Sequence, residues 1–108
     1  MDHETIDQRS FAMAEIIAGR ITENPRLLEI ANENLDRWLA KCAPNSRPVL
    51  LEWKSILECG VAAAVRTLRG EDERSTRLRQ SSPFAGEEFI TRAERTELIL
   101  RYGKGRIA

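Results

Sequence analysis

ENPRLLEIANENLDRWLAKC, residues 23–42, is the stretch that decides the fold. Leu27, Leu28, Ala31, Leu35, Trp38, Leu39 and Cys42 recur within it at intervals of three and four. That spacing gathers them on one side of an α-helix and predicts a helix from Pro25 to Cys42 with one buried face. Pro25 suits the first helical position, where no N–H is needed, and the Asn24 side chain can accept from the amides left free there. The same dipeptide stops whatever precedes it. Upstream, Ile6, Met13, Ile17 and Ile21 fall at helical spacing with Phe11 and Ile16 beside them, which predicts a first helix over residues 5–22.

Downstream the pattern continues. APNSR, residues 43–47, allows an antiparallel return, and Pro48 then opens a helix carrying Val49, Leu50, Trp53, Ile56, Leu57 and Gly60. Trp38 and Trp53 are expected to meet in the core between these two helices. VAAAVRTLRG, residues 61–70, reads as a short helix with Val61, Ala64, Val65 and Leu68 inward, alanines small enough for close packing, and Gly70 as its stop. EDERSTRLRQ, residues 71–80, runs from acid to base, the order that suits a helix dipole, yet offers Leu78 as its one large apolar residue, so a solvated helix is expected. In SSPFAGEE, residues 81–88, Pro83 disfavours helical geometry at Ser82 and Gly86 relaxes the backbone, which predicts an ordered loop. Thr91 and Glu94 then form a T-x-x-E capping box leading into a last helix, with Leu98, Ile99 and Tyr102 apolar and Gly103 at its end. No segment alternates as a strand should, and there is no internal repeat. The expected fold is all-α: a single small helical bundle of about five to six short helices over residues 1–108, with 1–4 and 104–108 as frayed tails.

A chain of 108 residues holds one modest core, and 42% apolar with 31% charged residues is a globular mixture. Net charge is zero, with 17 basic and 17 acidic residues, so no whole-protein field draws nucleic acid towards it. Residues 1–60 carry 7 basic and 10 acidic side chains and residues 61–108 carry 10 and 7, giving halves of −3 and +3. Any DNA role therefore needs a local patch. Cys42 and Cys59 are expected as two buried, reduced thiols on the apolar faces. With His3 as the single histidine, in the tail, neither a zinc site nor any other cofactor is expected. The acidic, polar N-terminus lacks the features of a secretory signal, and no stretch approaches the roughly 20 apolar residues that cross a bilayer, so a cytoplasmic protein without a membrane role is expected.

The usual catalytic machinery has no sequence signature. Nucleophilic catalysis needs a Ser or Cys beside a base, the glycines match no phosphate-binding loop, and the carboxylates are scattered over polar faces. Two binding candidates stand out. Arg66, Arg69, Arg74, Arg77 and Arg79, joined later by Arg92, Arg95 and Arg101, make a stripe that phosphate contacts would use, although Glu71, Asp72 and Glu73 interrupt it and a solvated face is the plain alternative. LRQSSPFAG, residues 78–86, sets Arg79, Gln80, Ser81 and Ser82 beside Phe84. An aromatic anchor flanked by register-setting polar groups suits a partner contact. Equally, Phe84 can fold back as a lid over the bundle while Ser82 and Pro83 merely shape the turn.

ENPRLLEIANENLDRWL, LLEWKSIL and RLRQSSPFAG, the last followed by a helix containing Glu94 and Arg95, resemble in this order a family of small helical bacterial proteins that look like the antitoxin half of toxin–antitoxin gene pairs. The resemblance covers about residues 10–102, and LRQSSPFAG is its most specific part. The chain departs from the family pattern at residues 87–98, where Glu87, Glu88 and Phe89 replace a more apolar connection and Thr96 to Leu98 lack a tryptophan. The resemblance implies a protein, not itself an enzyme, that neutralises a cognate toxin enzyme encoded nearby by direct contact. Arg77, Arg79, Gln80, Ser81, Ser82, Pro83, Phe84, Arg92 and Arg95 are the expected partner-binding residues, with Phe84 inserted in a pocket of the partner. The alternatives are a small DNA-binding transcriptional regulator, its own operon being one target, and an adaptor for a larger assembly. A homo-oligomer is compatible with each.

Overall fold

The computed structural model describes residues 2–103, with side chains from residue 8 to residue 102. Six α-helices and a 3₁₀ turn follow in order: α1 (Asp2–Glu23), α2 (Leu27–Lys41), the 3₁₀ turn (Pro44–Ser46), α3 (Arg47–Glu58), α4 (Val61–Arg69), α5 (Glu73–Arg79) and α6 (Arg92–Gly103). Among the described residues there is no strand, and the bundle is the all-α one that the apolar spacing predicts. α1 is helical from Asp2, earlier than the start at residue 5 that the apolar spacing predicts. Residues 104–108, and the side chains of His3 and Ile6, lie outside the described residues.

α1 is the central element. It packs most extensively on α4 and then on α6, while α2 pairs with α3. Ala14 and Ala18 of α1 and Ala64 of α4 are all buried, and their small side chains let the two helix backbones approach closely. Ile21, Leu35, Trp53, Leu68, Leu78 and Phe89 are fully enclosed, so α1 to α5 and the segment before α6 each give at least one large side chain to one shared core.

Several expectations need correction. The Asn24 side chain does not cap α2. The amides of Leu27, Leu28 and Glu29 instead bond to the carbonyls of Asn24, Pro25 and Arg26, each at 3.0 Å, so tight turns satisfy donors that a side chain was expected to take. Trp38 is only half-buried at the edge of the core, and the ring that meets Trp53 is Phe84. Cys42 is half-buried and Cys59 exposed, not the buried pair expected. Cys59 follows the last residue of α3, where the chain turns towards Gly60 and helical spacing no longer says which side a residue faces. Ile99 is exposed, because Leu98 takes the inward position in that turn of α6. Two glycines are structurally required. Gly60 has φ +98° where α3 gives way to α4, and a Cβ at Gly70 would stand 2.2 Å from Ser75 Oγ in the turn between α4 and α5.

Candidate functional site

The segment from Leu78 to Phe89 is fixed at three places by side chains from three helices. Trp53 of α3 donates its Nε1–H to the Leu78 carbonyl at 2.8 Å, and Asn34 of α2 donates its Nδ2–H to the carbonyls of Pro83 at 2.9 Å and Ala85 at 3.3 Å. Arg20 of α1 donates to the Phe89 carbonyl at 2.8 Å. Buried carbonyls in a loop need such partners, since no ladder or helix supplies them. Between these anchors Phe84, 3% exposed, stacks edge-on against Trp53 with centroids 5.5 Å apart and against Phe89 at 5.4 Å. Pro83 is buried beside it. The lid reading of Phe84 is therefore the one the structure bears out. Phe84 and Pro83 present no side chain for a partner to grip, because burying an aromatic against two others in the core outweighs leaving it in water.

The remaining residues of the expected surface divide into two groups. Arg77 is exposed at the other side of α5 and pairs with Glu52 at 3.1 Å, and Arg92 is exposed at the start of α6, its backbone N–H bonded to the Glu87 carboxylate at 2.9 Å. Ser81 is half-buried, with its amide on the Leu78 carbonyl at 3.1 Å. Arg79, Gln80, Ser82 and Arg95, by contrast, line one cleft of about 370 Å³, together with Arg9 and Ser10 of α1. Met13, Ile17, Leu68, Phe84 and Ile90 also line it, all but Met13 nearly enclosed by the core. Among the described residues, no Asp, Glu, His or Cys lines it. Arg9 and Ser10 carried no local signal in the sequence, because only the packing of α1 beside the loop brings them to this place.

Arg79 is held in position within the cleft wall. Its guanidinium donates to the carbonyls of Leu68, at 3.1 Å, and Gly70, and to Thr76 Oγ1 at 3.3 Å, and it lies over the Phe11 ring, 5.2 Å from the centroid. Carbonyl dipoles and a ring face orient a cation without cancelling its charge. Other arginines on the molecule have carboxylate partners: Arg69 with Glu15, Arg74 and Arg77 with Glu52, Arg101 with Glu97. Burial acts to raise the Glu52 carboxyl, but the hydrogen bonds from Arg74 and Arg77 overcome it and hold the group below the usual carboxylate range. Much of the basic stripe that suggested phosphate contacts is thus already matched within the chain.

The wall of the cleft is completed by α6, which is locked to α1. The expected capping box is present: Thr91 N–H donates to Glu94 Oε1 at 2.8 Å and Glu94 N–H to Thr91 Oγ1 at 3.1 Å. Arg20 adds two hydrogen bonds to the same carboxylate, one to Oε1 at 2.7 Å and one to Oε2. The Arg20 hydrogen bond first, and the Thr91 amide next, bring the Glu94 pKa down from 4.5 to about 2. A depressed carboxylate stabilises the fold above its unfolded pKa and loses that contribution as pH falls from about 4.5 to about 2. Glu94→Gln is expected to cost about 1–2 kcal/mol at pH 7, after allowance for screening at a site that is partly solvated. In urea titrations the gap from the parent should close as pH approaches the lower value, and a gap independent of pH would contradict this account.

Comparison with known proteins adds no relative: no protein-family model, no curated protein and no solved structure matches this chain. No helix among the described residues is long and apolar enough to cross a membrane, and no group of three or more metal-binding side chains occurs among them.

Proposed function

We propose that this chain is an antitoxin-like binding protein that neutralises a partner enzyme by direct contact, and that the contact is made by the arginine-lined cleft and not by an inserted phenylalanine. The observation that carries the reading is the meeting of Arg9, Arg79 and Arg95 in one cleft whose described lining residues include no acidic side chain. An acidic group on a partner, of the kind that holds metal or substrate in a hydrolase or transferase, would supply the missing counter-charge with charge-assisted hydrogen bonds. The lining also favours binding over catalysis: among the described residues Ser10 and Ser82 have no base in the cleft, and Ser82 Oγ already accepts from the Phe84 amide at 3.1 Å. The resemblance of LRQSSPFAG and its neighbours to antitoxin-like proteins points the same way. Operator binding draws less support, since Arg69, Arg74, Arg77 and Arg101 already have carboxylate partners.

The test is co-expression with the product of the adjacent gene. That product alone should arrest growth, this chain should restore it and co-purify, and Arg9→Ala with Arg95→Ala should abolish both effects without lowering the melting temperature. Growth rescue and co-purification that survive the double substitution would remove the cleft from the contact, and a neighbour that neither arrests growth nor binds would remove the reading itself.

A further inference from the structure

We infer that the same cleft is a binding site for a small phosphate monoester with an apolar or aromatic body. Three arginines from three helices, Arg9 of α1, Arg79 of α5 and Arg95 of α6, line a space of about 370 Å³, and no carboxylate is among its described lining residues. That volume lies in the range of small-ligand sites. One of the three is preorganised: Arg79 is fixed by the Leu68 and Gly70 carbonyls and by the Phe11 ring, so its charge stands ready without loss of side-chain freedom on binding. Three neighbouring cations repel one another, and an anion of charge near −2 relieves this better than a singly charged carboxylate. The planar guanidinium forks of Arg9 and Arg95 also match phosphate oxygens two at a time, while Arg79, its Nη1 already on two carbonyls, contributes charge.

The neutral groups fit the same ligand. Ser82 Oγ accepts from the Phe84 amide, which leaves its proton to donate, and Ser10 and Gln80 add further donors at the rim. Beside them the half-buried Met13 and the exposed Ala85 are apolar lining that inorganic phosphate has no means of using and an aryl or alkyl body would cover. The site is derived from its own geometry and does not rest on the neutralisation reading. A chain that binds the ester but no toxin upholds the one and removes the other. Where both hold, the ester and the acidic group of the partner compete for the same arginines.

The experiment is a titration of the full chain with phenyl phosphate, followed by calorimetry and by amide shifts in ¹H–¹⁵N spectra. Saturable binding with Kd on the order of 0.1–1 mM is expected for so few non-hydrogen atoms, with the shifts centred on residues 9–13, 79–85 and 95. Inorganic phosphate and phenol should each bind about tenfold more weakly, because one lacks the body and the other the charge. Arg95→Ala, at an exposed position that leaves the fold intact, should weaken phenyl phosphate about tenfold, and Arg26→Ala, exposed on the far connection between α1 and α2, should leave it unchanged. Absence of a saturable shift, equal affinity for inorganic phosphate, or equal losses for Arg26→Ala and Arg95→Ala would each overturn the assignment.

Discussion

Phe84→Ala is expected to lower the melting temperature by about 15 °C or more. The ring is 3% exposed and makes two edge-to-face contacts, with Trp53 and Phe89, so its removal leaves a cavity that three pinned neighbours are poorly placed to fill. Such truncations cost about 3–5 kcal/mol, against a total stability of about 5–15 kcal/mol for a domain of this kind. At about 4–8 °C per kcal/mol, even the lower figure is a large shift. Phe84→Leu keeps most of the volume and should cost less than half as much. A melting temperature within about 3 °C of the parent would show that the ring is not in the core. The consequence for function is direct. Loss of partner binding in Phe84→Ala reports unfolding, and Arg79→Ala is compromised in the same way because the Arg79 guanidinium ties α5 to the end of α4. Arg9 and Arg95 are the positions at which contact can be tested apart from folding.

Much of the fold was legible because its causes are local. In α2 the residues at helical spacing, Leu27, Ala31 and Leu35, are the buried ones, and the breaks at Asn24–Pro25, Gly60 and Gly70 fall where turn chemistry put them. The capping box at Thr91 and Glu94 forms as read, since it joins residues three apart. What escaped notice is long-range. Asn34 meets Pro83 across 49 positions and Arg20 meets Glu94 across 74, and periodicity says nothing of which carbonyl or carboxylate a returning chain brings near. Asn34 was one polar residue in an amphipathic helix until the loop arrived above it. The same holds for Arg9 and Ser10, which share the cleft with Arg95 only because α1 and α6 pack together.

Several residue types along LRQSSPFAG have a physical account in these contacts. Leu78 supplies both a buried side chain and the carbonyl that Trp53 needs, Arg79 closes the α4–α5 connection, Ser82 caps the Phe84 amide, and Pro83 and Phe84 fill the core. Its demands are mainly structural. The charge it places at the cleft, through Arg79, comes with the architecture, whereas the Arg9 and Arg95 side chains line the cleft without a hydrogen bond to another described residue.

Asn34→Asp and Asn34→Leu separate the loop from the rest of the bundle. Asn34 is 4% exposed; its Nδ2 serves the Pro83 and Ala85 carbonyls while Oδ1 accepts from Arg37. Leucine fills the space but donates nothing, and leaving such carbonyls without their donor costs about 1–3 kcal/mol. Aspartate is expected to be worse at pH 7, because an ionised carboxylate then faces two carbonyl oxygens in place of an amide donor, relieved only in part by Arg37. Burial among carbonyls raises the folded-state pKa of that aspartate. Its penalty is therefore absent below the unfolded value of about 3.9 and grows as pH rises through the folded one. The difference between Asn34→Asp and the parent should accordingly shrink on acidification, as that of Glu94→Gln does, but at pH above about 3.9 and not between about 4.5 and about 2. In hydrogen exchange, the Phe89 and Ile90 amides, both bonded to the Gly86 carbonyl, should lose protection before those of α2 and α3. If they stay as protected as in the parent, the Asn34 clamp does not hold the loop. If they open, phenyl phosphate binding should fall with them, because Ser82, Phe84 and Ala85 are the wall of the cleft.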